Sequence, residues 1–246
     1  MTDEHARLSP SASERWMKCP AAPDREAAYP DSPSAASSKG TRAHSLLEKA
    51  LVDRQLPATF AGTPGIDKEM IEAVQAAVHL VAGLKYGSDQ MLIEQRVDAG
   101  VLIGRDDIWG TSDVLIHHRR SSSIICLDYK HGIYPVEPHE NPQLMIYTMA
   151  CAGLLEAAGA PKIEHFITGV IQPRTRGPAL RTWDFDRARM DEFKQELQQG
   201  AAATDSHDAP AVPDPKGYCH FCRAKPDCAE YALATQPGAN TGIMGR

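Results

Sequence analysis

The sequence has 246 residues, 42% hydrophobic and 24% charged, which excludes a fully disordered chain and a collagen-like or coiled-coil rod. Its 26 basic and 32 acidic residues give a net charge of −6. That balance argues against a nucleic-acid coat protein but not against a local acidic metal site. No run approaches the ~20 apolar residues of a membrane-spanning helix, and Met1 to Leu8 has no apolar signal core, so a cytoplasmic location and no membrane partner are expected.

In chain order, residues 8–19 read as a short helix with Ser11 and Glu14 at capping-box spacing. Residues 20–38, rich in Pro, Ala and Ser, read as a loop. A helix is expected from about Gly40 to Arg54, with His44 on the face of Leu47 and Leu51. Residues 56–65 form another loop. Residues 67–86 are a strong amphipathic helix, with Met70, Ile71, Val74, Ala77, Val78 and Val81 on one stripe. Strands follow at 91–97, 111–117 and 123–129, most simply as an antiparallel meander. Residues 141–158 are helical, with Pro142 suited to a first turn. Strands at 163–171 and 180–185, a polar helix at 186–199, a linker at 201–215 and a cysteine-bearing segment at 217–231 complete the order. Residues 232–246 are expected to form a flexible tail. The order describes an α/β fold with a central mixed, largely antiparallel sheet flanked by helices.

The chemistry concentrates at two strand ends. Asp113 follows Gly110-Thr111-Ser112, and Asp128-Tyr129-Lys130 ends the next strand. Side chains at i and i+2 share a strand face, so Asp128 and Lys130 point together and Tyr129 points away. As hairpin neighbours, Asp113 and Asp128 would repel unless neutralised. Mg²⁺ or Mn²⁺ would do so, being hard cations that prefer oxygen ligands. Lys130 would then stand beside a metal-bound water or a phosphate. Alone, Asp-x-Lys is short and common, and a surface ion pair is its ordinary reading. Gln143 and Tyr147, at i and i+4 on the following helix, share a face of an otherwise apolar element.

Taken together, these pieces resemble the RecB-type branch of the PD-(D/E)XK nuclease superfamily. The residues that carry the resemblance are Gly40-Thr41-Arg42-Ala43-His44, Gly110-Thr111-Ser112-Asp113, Leu127-Asp128-Tyr129-Lys130 and Gln143-Leu144-Met145-Ile146-Tyr147. The opening around Leu8 to Pro20 also resembles phage and prophage proteins of this group. The resemblance implies a restriction-endonuclease-like core at about 40–200, within a single domain of residues 1–231. It implies His44, Asp113, Asp128 and the Tyr129 carbonyl as metal ligands, Lys130 as the catalytic lysine, and Gln143 and Tyr147 as residues that shape the site and contact DNA. Glu94 stands where this family often has a glutamate. The implied activity is a Mg²⁺- or Mn²⁺-dependent deoxyribonuclease, an exonuclease on linear DNA ends, in phage recombination or DNA repair. A recombinase or single-strand-annealing protein is the implied partner. Arg15, Lys18, Arg174, Arg176 and Arg181 are candidate phosphate contacts. The alternatives are a catalytically inactive DNA-binding module of the same fold and a zinc-ribbon protein adaptor.

Cys219-x-x-Cys222-x5-Cys228 is a metal-ligand pattern, with Cys19 the candidate fourth ligand. Zinc and iron–sulfur clusters both accept four thiolates, and His220 is an alternative zinc ligand. One early and three late cysteines resemble the iron–sulfur subgroup of these nucleases, including helicase–nuclease subunits and CRISPR-associated nucleases. That implies a [4Fe–4S] cluster joining segments 8–20 and 217–231. Cys126 and Cys151 sit in apolar runs and read as core.

Overall fold

The computed structural model describes residues 6–30, 34–87 and 89–236. A five-stranded sheet runs in the order β1 (Gln90–Asp98), β2 (Trp109–His118), β3 (Ser123–Tyr129), β4 (His165–Ile171) and β5 (Leu180–Asp186). The first three strands are antiparallel neighbours, β3 and β4 are parallel, and β4 and β5 are antiparallel. The parallel step follows from the crossover through α5 (Pro142–Ala157), because parallel neighbours need a long connection.

Strand alternation assigns the layers. Val114 and Ile116 of β2 pack with Leu46 and Leu47 of α3 (Ala35–Val52) and with Met70 and Val74 of α4 (Lys68–Leu84). Leu115 belongs to the opposite face, in a core with Trp16 of α1 (Ser13–Lys18), Met145 of α5 and Phe193 of α6 (Arg187–Ala203). With helices on both sides, β3 is buried along its whole length. Cys126 and Cys151 are fully buried in this core.

Several boundaries differ from expectation. The helix bearing His44 starts at Ala35, because Ser34 caps it by accepting from the Ser37 N–H at 3.0 Å, and Gly40 is carried within it. A short helix, α2 (Ala22–Ala27), forms inside the expected loop, with Pro23 in its first turn. The Ser11 capping box does not form. Pro10–Ala12 make a 3-10 turn instead, Ser11 Oγ pairs with Ser9 Oγ at 2.8 Å, and α1 begins at Ser13. Burial of Ala201 carries α6 through residues expected in the linker. A final helix, α7 (Ala229–Ala234), takes up part of the expected tail, and residues 237–246 lie outside the described residues. No helix among the described residues is long and apolar enough to cross a membrane.

Gly169 marks the tightest strand contact. It pairs with Leu127 in the parallel ladder, and a Cβ there would lie 2.6 Å from Leu127 Cδ2 and 3.4 Å from the Arg181 carbonyl. Gly169→Ala is expected to cost ~1–3 kcal/mol through overpacking. A thermal melt checks this, and an unchanged midpoint would mean that Leu127 has room to move.

Candidate metal centre

The site forms where regular strand pairing lapses. Ile93 pairs with Val114 and Gln95 with Ser112, but no pairing joins the intervening Glu94 and Asp113. Glu94 has φ 48°, a left-handed backbone in mid-strand. For a residue with a Cβ this costs ~1–2 kcal/mol, and such strain collects at functional sites. On the other side, the β2–β3 ladder begins at Val114 and Leu127, so the next register position sets Asp113 opposite Asp128. The Asp113 carboxylate takes the Tyr129 N–H, accepting through Oδ2 at 2.7 Å.

Three elements converge on this gap. His44, projecting from α3, brings Nδ1 to 3.3 Å from Asp113 Oδ2. Its ring packs edge-on to Tyr129, with centroids 5.4 Å apart. His44, Glu94 and Asp113 each offer a ligand atom within 4.8 Å of the other two, the one such set of three His, Cys, Asp or Glu side chains among the described residues. Asp128 stands beside this set, held by Lys130 and Gln143. Gln143 Nε2 donates to Asp128 Oδ1 at 2.9 Å, and Lys130 Nζ donates to Asp128 Oδ1 at 3.1 Å and to Gln143 Oε1 at 3.3 Å. Asp128 Oδ2 is buried without a hydrogen bond; Lys130 Nζ approaches it to 2.8 Å as an ion pair only. Tyr147 is buried, and a Cβ on Gly110 would lie 2.9 Å from its phenol oxygen, so glycine at 110 admits this ring behind the site.

Acidic groups crowd this gap. Burial, followed by the Asp113 charge, pushes Glu94 up to about 7. Burial also raises Asp128 against the pull of Lys130. Burial opposes charge on His44, but Asp113 outweighs it and holds His44 above the ordinary imidazole value. Three carboxylates and an imidazole suit a hard divalent ion.

The candidate phosphate contacts fare differently. Arg15 Nε donates to the buried Glu26 at 2.8 Å. Arg174 Nη1 donates to the His131 carbonyl and Arg181 Nη2 to the Val136 carbonyl, so both hold the chain after Lys130 rather than facing outward. Lys18 pairs with Glu14 on the surface, and Arg176 is exposed. Sequence reasoning missed Gln172, a buried side chain that organises the same segment; its partners are the Arg181 side chain and backbone atoms of residues 132–136, which leave no local signal.

The four cysteines outside the core line one small cavity. Cys19 accepts from the Val212 N–H at 3.4 Å, Cys219 from the Asp214 N–H at 3.2 Å, and Cys228 from Arg25 Nη1 at 3.4 Å. Donors aimed at sulfur suit thiolate ligands. Burial pushes the Cys19 and Cys222 thiols up. No three of these thiols bring their sulfurs within 4.8 Å of one another, whereas a zinc ion with Zn–S near 2.3 Å draws four sulfurs to ~3.8 Å apart. Around the cavity, Arg25 pairs with Glu230, and Glu26 Oε1 accepts from the Arg223 N–H at 2.8 Å, tying α2 to the C-terminal segment.

Comparison with known proteins gives a family and a structure. Residues 5–240 match the family model described as "Protein of unknown function (DUF2800)". The chain is also similar to the protein of "Crystal structure of SSO0001", at 14% identity and a TM-score of 0.34, over 89% of this chain and 96% of that one.

Proposed function

We propose that this chain, which belongs to the DUF2800 family, is a metal-dependent deoxyribonuclease that hydrolyses phosphodiester bonds, acting as an exonuclease on linear DNA ends. The observation that carries this reading is the convergence of His44, Glu94 and Asp113 beside the Asp128–Lys130 pair, at the price of a strained Glu94 backbone. His44, Glu94, Asp113, Asp128 and the Tyr129 carbonyl would hold one Mg²⁺ or Mn²⁺. When bound, that ion supplies Lewis acidity and a water of lowered pKa. Lys130, oriented by Asp128 and Gln143, holds its ammonium where negative charge grows on the phosphate. Gln143 fixes both partners through one amide, and Tyr147 fills the space behind them. Action at linear DNA ends, and a recombinase or single-strand-annealing partner, rest on the sequence resemblance alone.

The cysteine cavity is proposed to hold a [4Fe–4S] cluster through Cys19, Cys219, Cys222 and Cys228. The preference for a cluster over zinc rests on the sequence resemblance.

Glu94→Gly tests the metal site without relying on activity. Glycine accepts the left-handed backbone, so in chelator the variant is expected to be about 1 kcal/mol more stable than wild type. Its Mn²⁺ affinity, measured by calorimetry, should fall at least ~10-fold. Wild-type affinity in Glu94→Gly would remove Glu94 from the ligand set. The activity itself is tested by incubating linear DNA with the protein and Mg²⁺ or Mn²⁺.

A further inference from the structure

We propose that Arg96, stacked on Trp109, is a phosphate contact for the DNA strand held at the metal centre, taking the phosphodiester next to the one being cut. This inference rests on the nuclease reading above and adds a binding residue to that site.

The pleat of the sheet places Arg96. Gly110 and Ser112 of β2 face α5, since a Cβ on Gly110 would lie 2.9 Å from the Tyr147 phenol oxygen and Ser112 Oγ lies 3.3 Å from Cys126 Sγ in the core beneath α5. Alternation therefore puts Trp109, Thr111 and Asp113 on the opposite face, where Asp113 meets His44. On β1, Arg96 pairs with Thr111 and Asp98 with Trp109, and directly opposite residues share a face. Val97, between them, pairs with Gly110 and lies in the α5 core, as this assignment requires. Residues two apart on one strand are about 7 Å apart. Arg96 and Thr111 thus form the row next to Glu94 and Asp113, on the same face of the sheet. The row is open to solvent, with Arg96, Asp98 and Thr111 all exposed.

The Arg96 guanidinium carbon sits 3.9 Å from the centroid of the Trp109 ring. Carboxylates flank it on this face, Glu94 toward the site and Asp98 away from it, yet no ion pair joins Arg96 to either among the described residues. Asp98 Oδ1 instead accepts from the Val101 N–H at 3.3 Å, and the Glu94 carboxylate lies within 4.8 Å of the His44 and Asp113 ligand atoms. Arg15, Arg105, Arg174 and Arg189, by contrast, each pair with a carboxylate. Stacking holds the flat guanidinium by its face and leaves its edge donors open, the geometry that takes a phosphate through two N–H groups. The occupant follows from charge and position. The metal centre fixes one phosphate of the strand, and the neighbouring phosphate lies one nucleotide away, a distance comparable with the spacing of these rows. A cation free of carboxylate partners in that row meets an anion there.

The test uses the full chain in a Lys130→Ala background with Mn²⁺, so that binding is read without cleavage. Affinity for a fluorescent linear DNA duplex is measured by anisotropy over a series of salt concentrations. Arg96→Gln is expected to weaken binding about 10-fold at low salt. It should also make log affinity fall less steeply with log salt, by about 0.9 in slope, the share of one phosphate contact. Arg96→Lys, which keeps the charge, should restore the slope. Arg119→Gln, the same change of charge beyond the other end of β2, should leave affinity and slope unchanged. Unchanged affinity in Arg96→Gln overturns the contact, and so does a loss of affinity without a change of slope, the mark of a merely structural role. An equal loss in Arg119→Gln overturns it as well, by showing a general effect of charge. If any of these comes with a wild type that cuts DNA, the nuclease reading stands and the contact alone falls. A wild type that neither binds nor cuts DNA overturns both.

Discussion

Lys130→Ala is expected to cut the rate of DNA hydrolysis by ~10²–10³-fold, the usual loss when one preorganised charge-stabilising group is removed. The ammonium has few substitutes. Gln143 carries no charge, and the neighbouring arginines are committed to backbone carbonyls. The substitution should also expose a structural cost. Asp128 is only 5% exposed and Lys130 is its ion-pair partner. Removing one member of a fully buried pair costs ~3–5 kcal/mol; Lys130 is 29% exposed and Gln143 still holds Asp128, so the loss here is smaller. In chelator the variant should therefore melt below wild type, and Mn²⁺ should recover part of the loss, since the ion would take over the carboxylate. A variant that kept the wild-type rate would exclude Lys130 from the chemistry. One that melted like wild type in chelator would mean that the Asp128 carboxylate is not ionised there.

Cys19→Ala is expected to produce the second large effect. Cys19 precedes α2, while its three partners sit in the C-terminal segment. A cluster bridging Cys19 and Cys219 would close a loop of 200 residues, worth about 5 kcal/mol on the chain-entropy model before strain is subtracted. Protein–protein ties such as Arg25–Glu230 remain in the variant, so the segment should stay docked, with reduced stability. At ~2–4 °C per kcal/mol for a chain of this size, the midpoint should fall by roughly 10 °C, with iron content and the visible absorption of the cluster falling together. A purified Cys19→Ala protein with full iron and an unchanged melt would show that another group completes the ligand set. Stoichiometric zinc and no iron in wild type would replace the cluster with a zinc site.

The central parts of this site were legible because they follow short-range rules. Strand alternation put Asp128 and Lys130 on one face, and helical spacing placed Gln143 where it meets both. The hairpin register, carried one position beyond Val114 and Leu127, sets Asp113 opposite Asp128. Glu94 was visible only as a glutamate on a strand. Its standing as one of three converging groups depends on a left-handed backbone that no propensity for Glu suggests. The start of α3 was misplaced because Gly40 interrupts a helix that Ser34 caps six residues earlier. The arginines after β4 were read as phosphate contacts because charge at a turn usually faces solvent. Their partners, Gln172 and the 131–136 backbone, lie across a parallel strand connection that local pattern does not record.

The most direct measurement is loss of label from end-labelled linear DNA incubated with anaerobically purified wild-type protein and Mg²⁺ or Mn²⁺, with Lys130→Ala and a chelator control alongside. Wild type is expected to release label only with metal, with none in chelator and ~10²–10³-fold slower release in Lys130→Ala. Intact DNA after incubation with folded, iron-loaded and Mn²⁺-bound wild type would contradict it.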